Sequence, residues 1–346
     1  MNYRLLGRSG LRVSELSLGT MTFGDDWGWG ASAEDSKKQL DAYVEAGGNF
    51  IDTANLYTNG SSEKIVGELV RSERERFVIA TKYTLLQRPG DPNGAGGHRK
   101  SLVHALEASL RRLGTDHVDL YYVHADDGLT PIDEIMRALD DQVRLGKVLH
   151  VGVSDWPAWK VARANTMADL RGWTPFVGLQ IEYSLIERTV ERELLPMAEA
   201  LDLGVLAWGP LGGGVLTGKY RASGEADDSK RTGSNEHRVT DRNLRIADEV
   251  VAVAKEVGRP PSQVAINWVR QRPGVVIPIL GARTPAQLAD NLAALEFELD
   301  DAHLRRLDDV SRVDLGFPTE FLTRDRVRKL VQSDVHERIR PHRTAG

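Results

Sequence analysis

Short apolar runs alternate with longer amphipathic stretches along this chain to about residue 295. The runs at 16–20, 50–53, 78–82, 118–124, 150–154, 177–182, 205–208 and 275–279 are rich in Val, Ile, Leu and aromatic residues. Their length and composition predict strands. Between them, 34–46, 61–71, 100–113 and 131–145 carry apolar residues at helical spacing, which predicts helices with one buried face. Gly47, Gly114 and Gly146 follow those segments, where helix stops belong. Eight strands alternating with helices is the count of a closed α/β barrel of the (β/α)8, or TIM, type. Ahead of the first barrel strand, 3–6 and 11–13 flank GRSG, which predicts a β-hairpin plugging the bottom of the barrel. Two stretches leave the rhythm. Residues 221–240 are polar and rich in Ser, Gly and charge, and read as a long loop that is functional or disordered. A charged C-terminal segment begins near residue 313, after a predicted helix at 300–311. No repeat or change of composition divides the chain, so 1–346 is read as one domain.

Composition narrows the picture. A chain of 346 residues fits one large barrel with insertions. The formal net charge of −5 gives no reason to expect nucleic acid or an acidic membrane as partner. There is no cysteine, which excludes disulfides and thiolate-bound metal, and no metal site is expected. The opening residues lack the apolar centre of a secretory signal, and no apolar run nears the roughly 20 residues that span a bilayer. A soluble cytoplasmic protein is the expectation.

Candidate chemistry sits at the carboxyl ends of predicted strands two, three and four. FIDTANLY supplies Asp52 and Tyr57, FVIATK supplies Lys82, and VDLYYVH supplies His124. In such a barrel those ends converge on the face that carries catalysis. Tyrosine titrates near pH 10, so it is a reluctant acid at neutral pH. A neighbouring ammonium lowers that value, and Lys82 can provide it while Asp52 anchors the lysine. His124 can orient a substrate carbonyl or share the proton traffic. Such a group protonates an alkoxide as it forms; the hydride must come from a nicotinamide cofactor, because no side chain supplies one.

These residues lie in segments that resemble the aldo-keto reductases, in the branch of the aryl-alcohol dehydrogenases and the potassium-channel β-subunits. FIDTANLYTNGSSEKIVGELV, FVIATK, LGTDHVDLYYVH and GKVLHVGVSDW are similar to successive motifs of that superfamily, and WGPLGGGVLTGKY and IPILGARTPAQLADN to its cofactor segments. The likeness runs from about Tyr3 to Leu295. It implies a (β/α)8 barrel that binds NADPH in an extended conformation and reversibly reduces an aldehyde or ketone, a small-molecule substrate. By position it implies Tyr57 as general acid, Lys82 as its partner, Asp52 as the anchor and His124 as the substrate-orienting group. Members that reduce enone double bonds have glutamate at the histidine position, so His124 implies carbonyl reduction.

The resemblance also assigns the cofactor site, with Asp52 at its edge. Gly19, Thr20 and Met21 would meet the nicotinamide ribose side, and Ser154, Asp155 and Gln180 the carboxamide. Trp208 would stack on the nicotinamide ring. Gly209, Pro210, Leu211, Gly213, Leu216, Gly218 and Lys219 would follow the pyrophosphate, glycines allowing close backbone approach. The stretch is not a P-loop, because Tyr220 stands where a hydroxyl residue must follow Lys219. Gly281 and Arg283 precede a predicted helix; arginine suits the 2′-phosphate of NADP, and Gln287 and Asn291 could read the adenine edge. Two departures stand out: Asp155 where many members have Asn, and Thr58-Asn59 after Tyr57 where many have Gly. Candidate substrate walls are Trp27, Trp29, Tyr57, Tyr83, His124 and Trp156, with the Gly- and Pro-rich stretch 85–99 as a further, mobile wall. Two rival readings remain: an NADPH-binding regulatory subunit of the channel β-subunit kind, and an aldolase-like barrel with Lys82 as Schiff-base amine. The second leaves Tyr57, Trp208 and Arg283 without a role. Oligomeric state is not legible.

Overall fold

The computed structural model describes residues 1–220 and 235–339. Most of the 221–240 stretch therefore lies outside the described residues; of its end, Glu236–Arg238 forms a short 3-10 turn. Two antiparallel strands, β1 (Tyr3–Leu5) and β2 (Arg12–Ser14), make the predicted hairpin. Eight parallel strands then close into a barrel: β3 (Ser17–Gly19), β4 (Phe50–Asp52), β5 (Val78–Tyr83), β6 (Val118–Val123), β7 (Val148–Ser154), β8 (Phe176–Glu182), β9 (Gly204–Trp208) and β10 (Val276–Gly281). Each strand pairs with its chain neighbour, and β10 closes the ring on β3 with Gly281 opposite Gly19.

The connecting helices are α1 (Ala33–Glu45), α2 (Ser61–Val70), α3 (Arg99–Leu113), α4 (Ile132–Arg144), α5 (Ala158–Arg171) and α6 (Leu194–Ala200). Between β9 and β10 run α7 (Asp241–Val257) and α8 (Pro261–Arg270), and α9 (Pro285–Leu292) and α10 (Asp301–Ser311) follow β10. Local chemistry sets their ends. Ser32 accepts from the Asp35 N–H and starts α1, whereas Gly114 takes the left-handed conformation that stops α3. The tail that the sequence shows as charged adds two short helices, α11 (Thr319–Thr323) and α12 (Asp325–Gln332).

Two hydrophobic layers form because strand side chains alternate. Ile51, Ile79, Tyr121, Val153 and Leu179 point outward and are covered by the helices. Phe50, Val78, Ala80, Leu120, Tyr122, Leu206 and Ile277 point inward and fill the barrel. The Tyr122 ring fits only because its neighbours lack a side chain: a Cβ on Gly152 would stand 2.4 Å from the ring, and one on Gly178 2.8 Å from its hydroxyl. Leu6 and Val13 of the hairpin join this inner layer, and Leu6 lies against Gly204 at the start of β9. The hairpin thus plugs the amino-terminal end, as the sequence predicts. Among the described residues no helix is long and apolar enough to cross a membrane, and no three His, Cys, Asp or Glu are grouped to hold a metal.

Candidate active site

The inward rows of the strands do not end in apolar residues. Phe50 is followed two positions on by Asp52, Val78 and Ala80 by Lys82, Leu120 and Tyr122 by His124, and Leu206 by Trp208. Period two therefore turns these polar groups onto the barrel axis at the carboxyl-terminal mouth. Tyr57 arrives differently. It opens the short 3-10 segment Tyr57–Gly60 that links β4 to α2.

At the mouth Lys82 makes three contacts. Its Nζ donates to Asp52 Oδ1 at 2.6 Å, to the Thr53 carbonyl at 2.8 Å and to the Tyr57 hydroxyl at 3.0 Å. Three acceptors match the three protons of an ammonium, so the group is satisfied although it is fully buried. Asp52 is itself braced: its Oδ2 accepts from Gln180 Nε2 at 2.8 Å. The His124 ring meets the Tyr57 ring edge-on, with centroids 5.9 Å apart, and its buried Nδ1 has no hydrogen-bond partner among the described residues.

Burial and charge pull these groups in different directions. Burial alone would push the Lys82 ammonium down; the Asp52 carboxylate and then the Tyr57 oxygen outweigh it, and its pKa is raised. For Tyr57, burial pushes the phenol up and the Lys82 charge only partly opposes it, so the net direction is upward. That amends the expectation that Lys82 lowers the phenol below its ordinary value. The phenol stays protonated at neutral pH, the state a proton donor needs. Burial, with the Lys82 charge added, holds His124 well below its ordinary value, so its imidazole is neutral. Asp155 is raised by burial, against the hydrogen bond it accepts from the Trp208 indole at 3.2 Å.

The backbone around this face is strained. Of six described non-glycine residues with positive φ, four lie there: Thr58 at 44°, Asn59 at 54°, Thr84 at 99° and Asp155 at 52°. Such conformations cost about 1–3 kcal/mol each and persist where the surroundings fix them. Thr58 shows how. Its hydroxyl donates to the Phe23 carbonyl at 2.6 Å and accepts from the Ser62 N–H at 3.0 Å. Ser62 in turn donates to the Thr20 carbonyl at 2.7 Å and lies 2.9 Å from the Thr53 hydroxyl.

These bonds place several predicted residues. Thr20 is corrected as a cofactor contact: it is fully buried, its hydroxyl is engaged with Ser62 and the Asp52 carbonyl, its N–H donates to the Asp52 carbonyl, and its own carbonyl accepts from Phe23 and Ser62. Gly19 lies tight against Ile279, while Met21 is half-buried beyond it. The Gln180 Nε2 is engaged by Asp52, and Ser154 Oγ is buried without a partner among the described residues. After β9, Gly209, Gly213 and Gly218 all have positive φ, with Leu211 half-buried between them and Pro210 and Leu216 buried. The Lys219 ammonium folds back to within reach of Gly214. Past β10, Gly281 is exposed with open space above its Cα, and the Arg283 N–H donates to Gln287 Oε1 at 2.9 Å. Asn291 is buried on the same helix.

Two wall candidates are corrected. Tyr83 is fully buried, stacks on Tyr121 at 5.2 Å and donates to the Gly97 carbonyl; it faces the helices because its neighbour Lys82 faces the axis. Trp156 is 3% exposed and packs edge-on against Phe176. Neither lines the mouth. Trp27 and Trp29 do stand on that face, half-buried and 5.6 Å apart, in the loop between β3 and α1. Missed from the sequence were the Thr53 carbonyl, the hydroxyl hub of Ser62, and Asn59, whose Oδ1 accepts from the Trp27 indole at 3.2 Å.

A family model described as the aldo/keto reductase family matches residues 15–312, the whole barrel. The chain belongs to the aldo/keto reductase family. Among curated relatives, norsolorinic acid reductase of Aspergillus flavus is 39% identical over 332 residues, covering 92% of this chain and 84% of the relative. An uncharacterised oxidoreductase of Bacillus subtilis is 40% identical over 320 residues, 90% and 96% of the two chains. Aryl-alcohol dehydrogenase (NADP+) of Phanerodontia chrysosporium is 35% identical over 332 residues, 89% and 85%. The protein is an aldo/keto reductase-type oxidoreductase, and the likeness seen in its motifs holds for nearly the whole chain.

Proposed function

We propose that this aldo/keto reductase uses NADPH to reduce an aldehyde or ketone, with Tyr57 as the proton donor. The observation that carries the reading is the Lys82 ammonium, fully buried and in contact with both the Asp52 carboxylate and the Tyr57 hydroxyl. When bound, NADPH supplies the hydride from its nicotinamide ring. The chain's own residues do the rest. His124, neutral and next to Tyr57, offers a ring nitrogen to orient the carbonyl oxygen. The Tyr57 hydroxyl gives its proton to that oxygen as negative charge builds there. Lys82 stabilises the phenolate left behind, and Asp52 keeps Lys82 charged and in place. Reprotonation of Tyr57 from solvent then restores the site.

The residues present fit a dinucleotide. Among the described residues Ser154 Oγ has no hydrogen-bond partner, open space lies over Gly281, and Gly209 and Gly213 after β9 turn with positive φ, a conformation that lets backbone approach a pyrophosphate closely. In this reading Gly19, Met21, Ser154, Asp155, Gln180 and Trp208 take the nicotinamide end, and Gly209 to Lys219 the pyrophosphate. Gly281, Arg283, Gln287 and Asn291 take the adenosine phosphate end. The name of the Phanerodontia relative supports NADP and an alcohol or carbonyl on an aryl group, and that of the Aspergillus relative supports reduction. The test is a titration with NADPH and NADH followed by addition of 4-nitrobenzaldehyde. Loss of reduced-nicotinamide absorbance supports the reading. Tight NADPH binding with no turnover across a carbonyl panel would favour a regulatory subunit, and binding of neither cofactor would overturn the assignment.

A further inference from the structure

Tyr57 is followed by two residues that a glycine would replace at lower backbone cost, Thr58 and Asn59, both with left-handed φ. Asparagine tolerates that region; threonine, branched at Cβ, does so poorly. Both side chains grip the same neighbour. Thr58 donates to the Phe23 carbonyl, and Asn59 accepts from the Trp27 indole. Phe23 stands at the base of the loop between β3 and α1, a base closed on itself by the Gly24 N–H to the Ala31 carbonyl and the Ala31 N–H to the Thr22 carbonyl. Trp27 stands at its tip, DDWGWG, paired with Trp29 at a tilt of 47°. Gly28 and Gly30 give the tip two positive-φ positions, and among the described residues no atom lies within 4 Å of a Cβ on Gly28, so the Asn59 bond is a hold on the tip from outside the loop.

From this arrangement we propose that Asn59 is a positioning residue for substrate specificity. By accepting the Trp27 indole N–H it fixes the Trp27–Trp29 pair at a set place relative to Tyr57, two residues away in the chain. The proton donor and the aromatic wall are then held by one turn. A wall of two large rings, tied through Asn59 to the turn that carries Tyr57, selects flat aryl carbonyls over compact aliphatic ones through ring contact area. The inference rests on the carbonyl-reductase reading and names the residue that sets its selectivity.

The test uses Asn59→Gly, which removes the acceptor while giving the backbone the residue that suits its φ, so loss of folding does not confound it. With NADPH saturating, KM for 2-naphthaldehyde should rise about three- to tenfold, the range expected for one net hydrogen bond, with kcat within about twofold. KM for propanal should stay unchanged. Trp27→Phe should reproduce the naphthaldehyde effect, the double variant should add nothing to it, and Asn59→Asp, which keeps the acceptor, should restore selectivity. Equal shifts for both aldehydes, or additive single variants, would overturn the proposal. Should the wild type reduce neither aldehyde, the reductase reading fails by itself. Calorimetric titration with 2-naphthaldehyde, which needs no turnover, then still decides the wall: equal affinity for wild type and Asn59→Gly refutes it, and weaker binding by the variant upholds it.

Discussion

Asp52→Asn keeps the size of the side chain and removes one charge, which isolates what the carboxylate does for Lys82. The pair is 2.6 Å apart, and both partners are all but closed to solvent. At an effective dielectric of about 20 their attraction is about 6 kcal/mol. The penalty of bringing two ions out of water offsets part of this, and breaking such a pair by removing one partner costs about 3–5 kcal/mol. Urea unfolding at neutral pH, read by far-ultraviolet circular dichroism, should show a loss of that size. The pH dependence is the sharper test. In the wild type the Lys82 pKa is raised, so its contribution is complete below the unfolded value of about 10.4 and is lost as pH climbs through the folded value. In the variant burial acts unopposed by Asp52 and depresses the folded pKa. The unfolded chain then binds the extra proton, and stability rises with pH toward about 10.4. The gap between the two proteins should therefore narrow from about pH 7 to pH 10. A gap that stays constant over that window, or a loss below about 1 kcal/mol, would refute the picture of Lys82 as a buried charge held by Asp52.

Three further outcomes follow from the site. Tyr57→Phe should lower kcat by at least about 100-fold while the Kd for NADPH, read by fluorescence quenching, stays within a few-fold; surviving turnover would remove Tyr57 as the acid. Arg283→Ala should weaken NADPH about 10-fold or more and leave NADH little changed, and an equal loss for both would remove Arg283 from the 2′-phosphate. The phenol is raised and the imidazole lowered, so kcat/KM for reduction should be level from about pH 6 to about pH 9. An inflection near pH 6.5 that disappears in His124→Gln would show that His124 titrates where its surroundings should keep it neutral.

The barrel was legible because its strands are runs of branched and aromatic residues buried on both faces, which no helix face imitates over so short a length. The predicted run at 177–182 and the observed Phe176–Glu182 differ by one residue, and the helix read at 131–145 spans Ile132–Arg144. Asp52, Lys82 and His124 were legible for the same reason, each ending a recognisable strand. Tyr83 was misread although alternation held the answer: a strand that turns Lys82 inward must turn the next residue outward. Trp156 had no such signal, since it lies past its strand, where burial is decided by packing against Phe176. The direction of the Tyr57 shift was hidden too, because adjacency to Lys82 can be guessed from motif order but the depth of burial cannot. The left-handed turn at Thr58 and Asn59 is a tertiary effect, held by hydroxyl bonds to residues 35 and 4 positions away. Residues 221–234 and 340–346 lie outside the described structure.

The bond from Gln180 to Asp52 joins β8 to β4, the sixth and second staves of an eight-stave ring, which stand opposite one another. Everything assigned to proton handling comes from the first four staves and their loops; most of what is assigned to the dinucleotide comes from the last four. The amide is thus a tie-rod across the bore, registering one half of the cylinder against the other. If the gene were cut between β6 and β7 and the fragments coexpressed, reassembly would depend on that rod as well as on the two reopened strand seams. A fragment pair carrying Gln180→Leu should then reassociate with its acid and its hydride site out of step, a defect that the uncut chain would largely conceal.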